Sequence, residues 1–267
     1  MSGGGRWTRR LLIGAALAYV GGLVAAPFVA LAAGALQDGP LELFRALFSA
    51  ESLGPLVLTV KIGLICVAFH VVAGALTAWA LVRDNFPGRR FVSGLVDLPF
   101  ALSPVVVGYM LLLIFGRRGL LGPALAAVGW QVAFDVSGMV LATLFVTLPL
   151  MVRELMPALE ALGTEQEQAA ATLGASGWQT FLRVTLPSLR WGFVYGAALT
   201  FARALGEFGA VLVVGGGVQG KTETATLYIY RALEERQYVA AYGAALGLGA
   251  ISMALMLGVD LLRRRRG

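Results

Sequence analysis

Residues 163–187 read Gly163-Thr164-Glu165-Gln166-Glu167-Gln168-Ala169-Ala170-Ala171-Thr172-Leu173-Gly174-Ala175-Ser176-Gly177-Trp178-Gln179-Thr180-Phe181-Leu182-Arg183-Val184-Thr185-Leu186-Pro187. Thr164 ahead of Glu165 and Glu167 is the pattern of an N-cap followed by acids in the first turn. Ala169 to Leu173 favour helix strongly, and Gly174 ends or breaks it. Ala175 to Val184 is patterned for a second short amphipathic helix, closed by Leu186-Pro187. Two short helices joined at a glycine make a compact polar surface. Taken alone, that surface is either a docking element or an ordinary structured loop.

The chain on either side of this stretch is far more apolar. Of the 267 residues, 58% are hydrophobic and 13% charged, and the mean hydropathy is +0.79. Soluble domains are about half apolar and about a quarter charged. Too few charges are present to coat a soluble surface, which excludes a soluble globular enzyme, a disordered chain and a disulfide scaffold. A membrane helix needs about 20 apolar residues, and six stretches qualify: 11–36, 53–82, 92–115, 136–157, 188–214 and 239–262. Helix is the default in lipid because it satisfies its own backbone. The first stretch follows Arg6, Arg9 and Arg10 and resembles a signal peptide. Its apolar run is about twice a usual signal core, so it reads as a retained helix.

Lysines and arginines orient the chain. Arg6, Arg9, Arg10, Arg83, Arg89, Arg90, Arg153, Arg183, Arg190 and Arg263–Arg266 fall on one side, and Arg45, Arg117, Arg118, Lys221, Arg231 and Arg236 on the other. Thirteen against six puts both termini and the 163–187 stretch in the cytoplasm. The net charge of +6 therefore reflects membrane orientation and not a nucleic-acid partner. Cys66 and His70 share one apolar span. Cys66 reads as a small buried hydrophobe, and a lone histidine makes no metal site.

The spacing Gln168-Ala169-Ala170, three residues, Gly174, nine residues, Val184-Thr185-Leu186-Pro187 resembles the EAA signature of the permease subunits of ATP-binding-cassette (ABC) importers. Gln168 stands where the family has Glu and Val184 where it has Ile, so an ion pair at the first position is unavailable to this chain. Glu165 and Glu167 are nearby carriers of charge. Leu98 to Gly108 and Phe201 to Ala210 are similar to the oxyanion branch, which carries sulfate, thiosulfate, molybdate and tungstate. Phe145 to Leu155 and Gly174 to Gln179 are most similar to the W-type sulfate permease subunits.

The resemblance implies an all-α membrane protein with six transmembrane helices in the type I (MetI-like) ABC importer permease fold. Residues 1–52 would hold a cytoplasmic tail, the first helix and an outer loop, 53–262 the permease domain, and 263–267 a basic tail. It further implies a subunit of a bacterial inner-membrane importer for sulfate or thiosulfate, with a homodimeric molybdate or tungstate permease as the alternative. No catalytic or metal site is expected. ATP and Mg would be bound by two partner ATPase subunits, beside a second, related permease, a periplasmic sulfate-binding protein and membrane lipid.

Coupling to the ATPase would fall to Gln168, Ala169, Ala170, Gly174, Ser176, Gly177, Trp178 and Phe181. The small residues admit a partner backbone. The two aromatics serve either as docking anchors or as membrane-interface anchors. The pathway or gate candidates are Ser103, Pro104, Arg203 and Glu207. Arg203 and Glu207 stand i, i+4 in an apolar span, where ionisable groups pair with each other or face a pathway. Ser103-Pro104 marks a plain kink or a gate. Lys61 lies near the outer end of its span and is expected to snorkel.

Gly215 to Thr222 also fits the phosphate-binding pattern Gly-x4-Gly-Lys-Thr after the run Val211–Val214. That context needs a parallel sheet, and too little chain follows to build one. The loop is expected to form a flexible outer surface, one able to meet a binding protein.

Overall fold

The computed structural model describes residues 4–264, with side chains for 7–263. The side chains of Arg6 and Arg264–Arg266, counted above for orientation, lie outside the described residues. The helices are α1 (Gly4–Ala35), α2 (Pro40–Leu47), α3 (Ala50–Arg83), α4 (Arg89–Ala101), α5 (Pro104–Phe115), α6 (Gly122–Ala127), α7 (Val136–Leu162), α8 (Glu165–Thr172) and α9 (Gly177–Thr180). A π-helical turn, Phe181–Thr185, leads into α10 (Leu186–Ser188), α11 (Arg190–Leu205), α12 (Gly209–Gly215), α13 (Ala225–Glu234) and α14 (Tyr238–Arg264).

Four of these (α1, α3, α7 and α14) are each long and apolar enough to cross a membrane, and the number rises to six where each of two bent helix pairs is counted as one span. The first pair breaks at the Ser103-Pro104 kink that the sequence marked, and the second corrects the reading of 188–214 as one unbroken helix. The 92–115 stretch is α4 and α5, bent by 114°, and the 188–214 stretch is α11 and α12, bent by 59°. At 1.5 Å per residue α4 and α5 are each about 18–20 Å long, short of the roughly 30 Å hydrocarbon layer.

The core is built around α7, which packs on α3, α4, α5, α11 and α12. Close approach is possible because the facing residues are small, as membrane helix pairs require. A Cβ on Gly74 of α3 would sit 2.8 Å from Met151 Cγ, and one on Gly196 of α11 would sit 2.6 Å from Met151 Sδ. Met151 is thus held between two glycines and is fully buried. Buried hydroxyls on α7 bond back along their own helix, Thr143 Oγ1 to Met139 O (2.9 Å) and Thr147 Oγ1 to Thr143 O (2.7 Å). His70 Nε2 lies 3.1 Å from both Leu144 O and Thr147 Oγ1, and Cys66 is fully buried.

Arg83, at the end of α3, meets the 163–185 loop, so α3 and α7 finish at the same end of the bundle. α1 runs antiparallel to α14, with Gly34 against Tyr242 and Phe28 against Gly249. Both termini of the described chain therefore lie at this loop end. α1 is a peripheral helix whose most apolar stretch is entirely unburied.

Candidate functional site

At the loop end, α8 stops as its sequence dictates. Gly174 takes φ +85°. Its N–H donates to Ala171 O (3.0 Å), and the Ala175 N–H donates to Ala170 O (3.1 Å). These bonds are the two halves of a Schellman turn, which needs the left-handed residue that glycine supplies without strain. α9 then starts in a capping box: Gln179 N donates to Ser176 Oγ and Ser176 N to Gln179 Oε1.

Two local expectations are corrected. Thr164 does not cap the backbone of α8; its Oγ1 instead accepts from Gln168 Nε2 at 3.1 Å. Nor is the second helix closed at Leu186-Pro187. The chain runs on through the π turn into α11, with the Leu186 N–H reaching back to Phe181 O. Pro187 lacks an N–H and its ring crowds the carbonyl four residues earlier, and the helix is widened in the turn that precedes it.

The surface so formed is open. Gln168, Ala169, Gly174, Ser176 and Gly177 are exposed, a Cβ on Gly174 would touch nothing within 4 Å, and Leu173 and Trp178 are 89% and 69% exposed. Ala170 and Phe181 are half-buried. Phe181 stacks on Trp178 (5.7 Å between centroids) and meets Trp79 of α3 edge-on (6.0 Å). Phe181 thus belongs to the footing of the loop and Trp178 to its outer face.

Glu167 is not the spare charge its sequence position suggested. Its Oε1 accepts from Thr185 Oγ1 (2.8 Å) and Arg83 Nη2 (3.3 Å), and the same guanidinium donates to Gly163 O. Arg83 and Glu167 side chains are only 12% and 16% exposed. This clasp fixes the loop to α3. A second clasp joins α7 to α4: Arg153 Nε donates to Asp97 Oδ1 (2.7 Å), and its Nη2 bonds Asp97 Oδ2 and Ser93. Sequence reasoning missed both, having counted Arg83 and Arg153 only as orienting charges. The one available signal was Asp97, an acid inside an apolar run.

The pathway candidates gather where the two bent spans meet. Ser103 is the N-cap of α5 and Pro104 its first residue, a position where the missing N–H costs nothing. A Cβ on Gly209 would lie 3.3 Å from Pro104 Cβ, and one on Gly108 would lie 2.7 Å from Val213 Cβ. The two breaks are therefore packed against one another. Glu207 lies in the break between α11 and α12, not in a continuous helix with Arg203. The pair still forms, with Arg203 Nη1 2.8 Å from Glu207 Oε2, Glu207 being 2% and Arg203 37% exposed. Glu207 Oε1 also accepts from Ala210 N (3.0 Å), tying the start of α12. Nothing in the geometry brings Ser103 into a bond with either charge.

A model of binding-protein-dependent transport system inner membrane components matches residues 70–266. The chain belongs to that family. A sulfate transport system permease protein CysW from Synechococcus elongatus is 44% identical over 256 residues, covering 96% of this chain and 90% of the relative. A CysT permease protein of the sulfate transport system from Escherichia coli is 37% identical over 257 residues, covering 96% and 93%. A chain in the crystal structure of a bacterial alginate ABC transporter, in complex with an alginate pentasaccharide-bound periplasmic protein, superposes with a TM-score of 0.78. It covers 97% of this chain and 96% of that one at 18% identity, a likeness of fold.

The permease's glycine-rich loop departs from expectation. Val211–Val214, the run that imitates a strand, is helical. The loop is not a loose surface: buried Thr222 Oγ1 donates to Gly215 O (2.7 Å) and accepts from Val218 N (3.0 Å). Lys221 Nζ lies 3.6 Å from Asp135 Oδ1, and Asp135 caps α7 through Ser137 N. Partial burial pushes the Asp135 carboxyl up, but the Ser137 bonds and Lys221 outweigh it and hold it below the usual carboxylate range.

Proposed function

We propose that this chain is the membrane-spanning subunit of an ATP-driven importer that carries sulfate or thiosulfate across a bacterial inner membrane. The observation that carries the reading is the 163–187 loop: a rigid, clasped surface that exposes Leu173, Trp178 and an open glycine. A secondary transporter or a channel has no use for such a surface. The 44% identity to a sulfate permease protein over nearly the whole chain supports the substrate. In this reading the loop end faces the cytoplasm, with both termini. The loop docks in a groove of an ATP-hydrolysing partner, which supplies the ATP and Mg chemistry.

Two such partners, a second and related permease, and a periplasmic sulfate-binding protein complete the transporter. Partner closure draws the loops together. Because the Arg83–Glu167 clasp ties the loop to α3, that motion passes into the bundle and opens the pathway outward. Hydrolysis resets it. Arg203, Glu207 and the Ser103-Pro104 break line or gate that pathway, and residues 53–262 form the transport unit.

The test is ATP-dependent uptake of labelled sulfate and molybdate in vesicles carrying this chain and its co-expressed partners. ATP-driven sulfate uptake that requires a second permease is expected. Molybdate uptake by a homodimer would replace the substrate and keep the family. Uptake without any ATPase subunit would overturn the role given to the loop.

A further inference from the structure

At the end of the bundle opposite the loop, a cavity of about 490 Å³ opens between α3 and the glycine-rich segment. Ala50, Glu51, Gly54, Leu58 and Lys61 lie along its α3 wall; Gln219, Gly220, Lys221, Glu223 and Arg231 form the other. The α3 positions share one stripe of the helix, and from Ala50 to Lys61 it descends about 16 Å at 1.5 Å per residue. Lys61, whose side chain is exposed, therefore marks the inner edge of the α3 wall of this cavity.

The charges there are not equivalent. Arg231 is taken up by Glu223 (2.7 Å) and Glu235 (3.0 Å). Lys221 has only the long contact with Asp135 and is 58% exposed. Lys61 has no ion-pair partner among the described residues. An unpaired ammonium inside an apolar span is costly unless it faces water or a ligand. The opposite wall is built to hold position: Thr222 locks the loop, and Gly216, Gly217 and Gly220 take positive φ.

We infer that this cavity is an acceptor site for a tetrahedral oxyanion dianion, held between the ammonium groups of Lys61 and Lys221 before it moves into the bundle. The dianion class rests on the proposed transport function. The site itself rests on the two lysines and the rigid wall. Glu51, a carboxylate on the same lining, weakens the hold and favours release.

The test uses the complete transporter. Acylation of Lys61 and Lys221 by an amine-reactive reagent is followed by mass spectrometry in sulfate, molybdate or chloride at matched ionic strength. Sulfate or molybdate is expected to slow labelling of both lysines at least threefold relative to chloride; equal rates in all three overturn the site. In proteoliposomes, Lys61→Gln is expected to lower uptake about tenfold, Lys61→Arg to restore most of it, and Glu51→Gln to raise uptake at low anion. A structural role for Lys61 predicts no gain from Glu51→Gln. Wild-type uptake by the double variant Lys61→Gln/Lys221→Gln overturns the proposal. Oxyanion protection of the lysines without ATP-driven uptake keeps the site and removes the transport reading.

Discussion

Replacing Arg83 with Gln should unfasten the 163–187 loop while leaving the bundle intact. The guanidinium bridges Gly163 O and Glu167 Oε1, in a setting where both side chains are mostly buried. Its removal strips Glu167 of its counter-charge, leaving only the Thr185 hydroxyl, and leaves the Gly163 carbonyl without that donor. Hydrogen bonds to charged groups contribute about 1.5–3 kcal/mol, and breaking a buried pair from one side costs about 3–5 kcal/mol. Partial exposure places this clasp near the lower figure, about 3 kcal/mol. At 1.4 kcal/mol per factor of ten, local opening of the loop becomes about a hundredfold more frequent. Hydrogen exchange followed by mass spectrometry in lipid nanodiscs reads this directly. Peptides covering 165–180 should lose protection by about two orders of magnitude, while those within 139–155 of α7 stay unchanged. Transport should show wasted ATP, with more hydrolysed per anion moved. If exchange across 165–180 changes less than threefold, the clasp does not hold the loop and the argument for transmission through α3 fails.

Gly174→Ala forces a Cβ into a backbone at φ +85°, at a cost of about 1 kcal/mol; Gly174→Trp adds a bulky side chain where nothing in this chain would touch a Cβ. Uptake should be reduced in the first and abolished in the second with normal membrane insertion, and normal uptake by Gly174→Trp sinks the docking role. Gly108→Ala brings a Cβ to 2.7 Å of Val213 Cβ and 3.0 Å of Ala210 O, an overpacking cost of about 1–3 kcal/mol. Thermal unfolding in detergent should fall for Gly108→Ala but not for Gly94→Ala, where the space is open. Asp135 has its carboxyl depressed in the folded chain, so its contribution is fully present above the ordinary carboxylate pKa of 3.8 and is lost as pH falls through the lower folded value. Melting curves between neutral and strongly acidic pH should show that loss, and Asp135→Asn should flatten it. Asp135→Ala should cost about 1 kcal/mol at neutral pH.

What the sequence made legible was local. Glu165, the alanines and Gly174 specify α8 and its stop within a dozen residues, whereas the Ser176–Gln179 box that starts α9 lay unread inside the longer helix expected over 175–184. The breaks were harder. Leu98 to Leu113 stays apolar across Ser103, so hydropathy runs straight through a 114° bend; only Pro104 hints at it. Between α11 and α12 there is no proline, and Glu207 looked like the next turn of one helix. The Arg83–Glu167 clasp joins positions 84 apart, and no short-range pattern records such a pair. The glycine-rich loop misled in the opposite direction. Its composition suggests mobility, yet the buried Thr222 hydroxyl, a residue that also fits the phosphate-loop pattern, stitches it together.

α3 is a single helix of 34 residues, about 51 Å long. One end is clasped to the 163–187 loop, and the other half carries the wall on which Lys61 sits. A stiff rod works as a lever: a tilt of about 5° about the clasped end moves Lys61, about 33 Å away along the helix, by about 3 Å. That is about the length of a hydrogen bond, so a small rocking at the loop end suffices to loosen a grip on an anion at Lys61. Timing between energy input and cargo release would then be set by the rigidity of one helix, with no relay of side chains between the two ends.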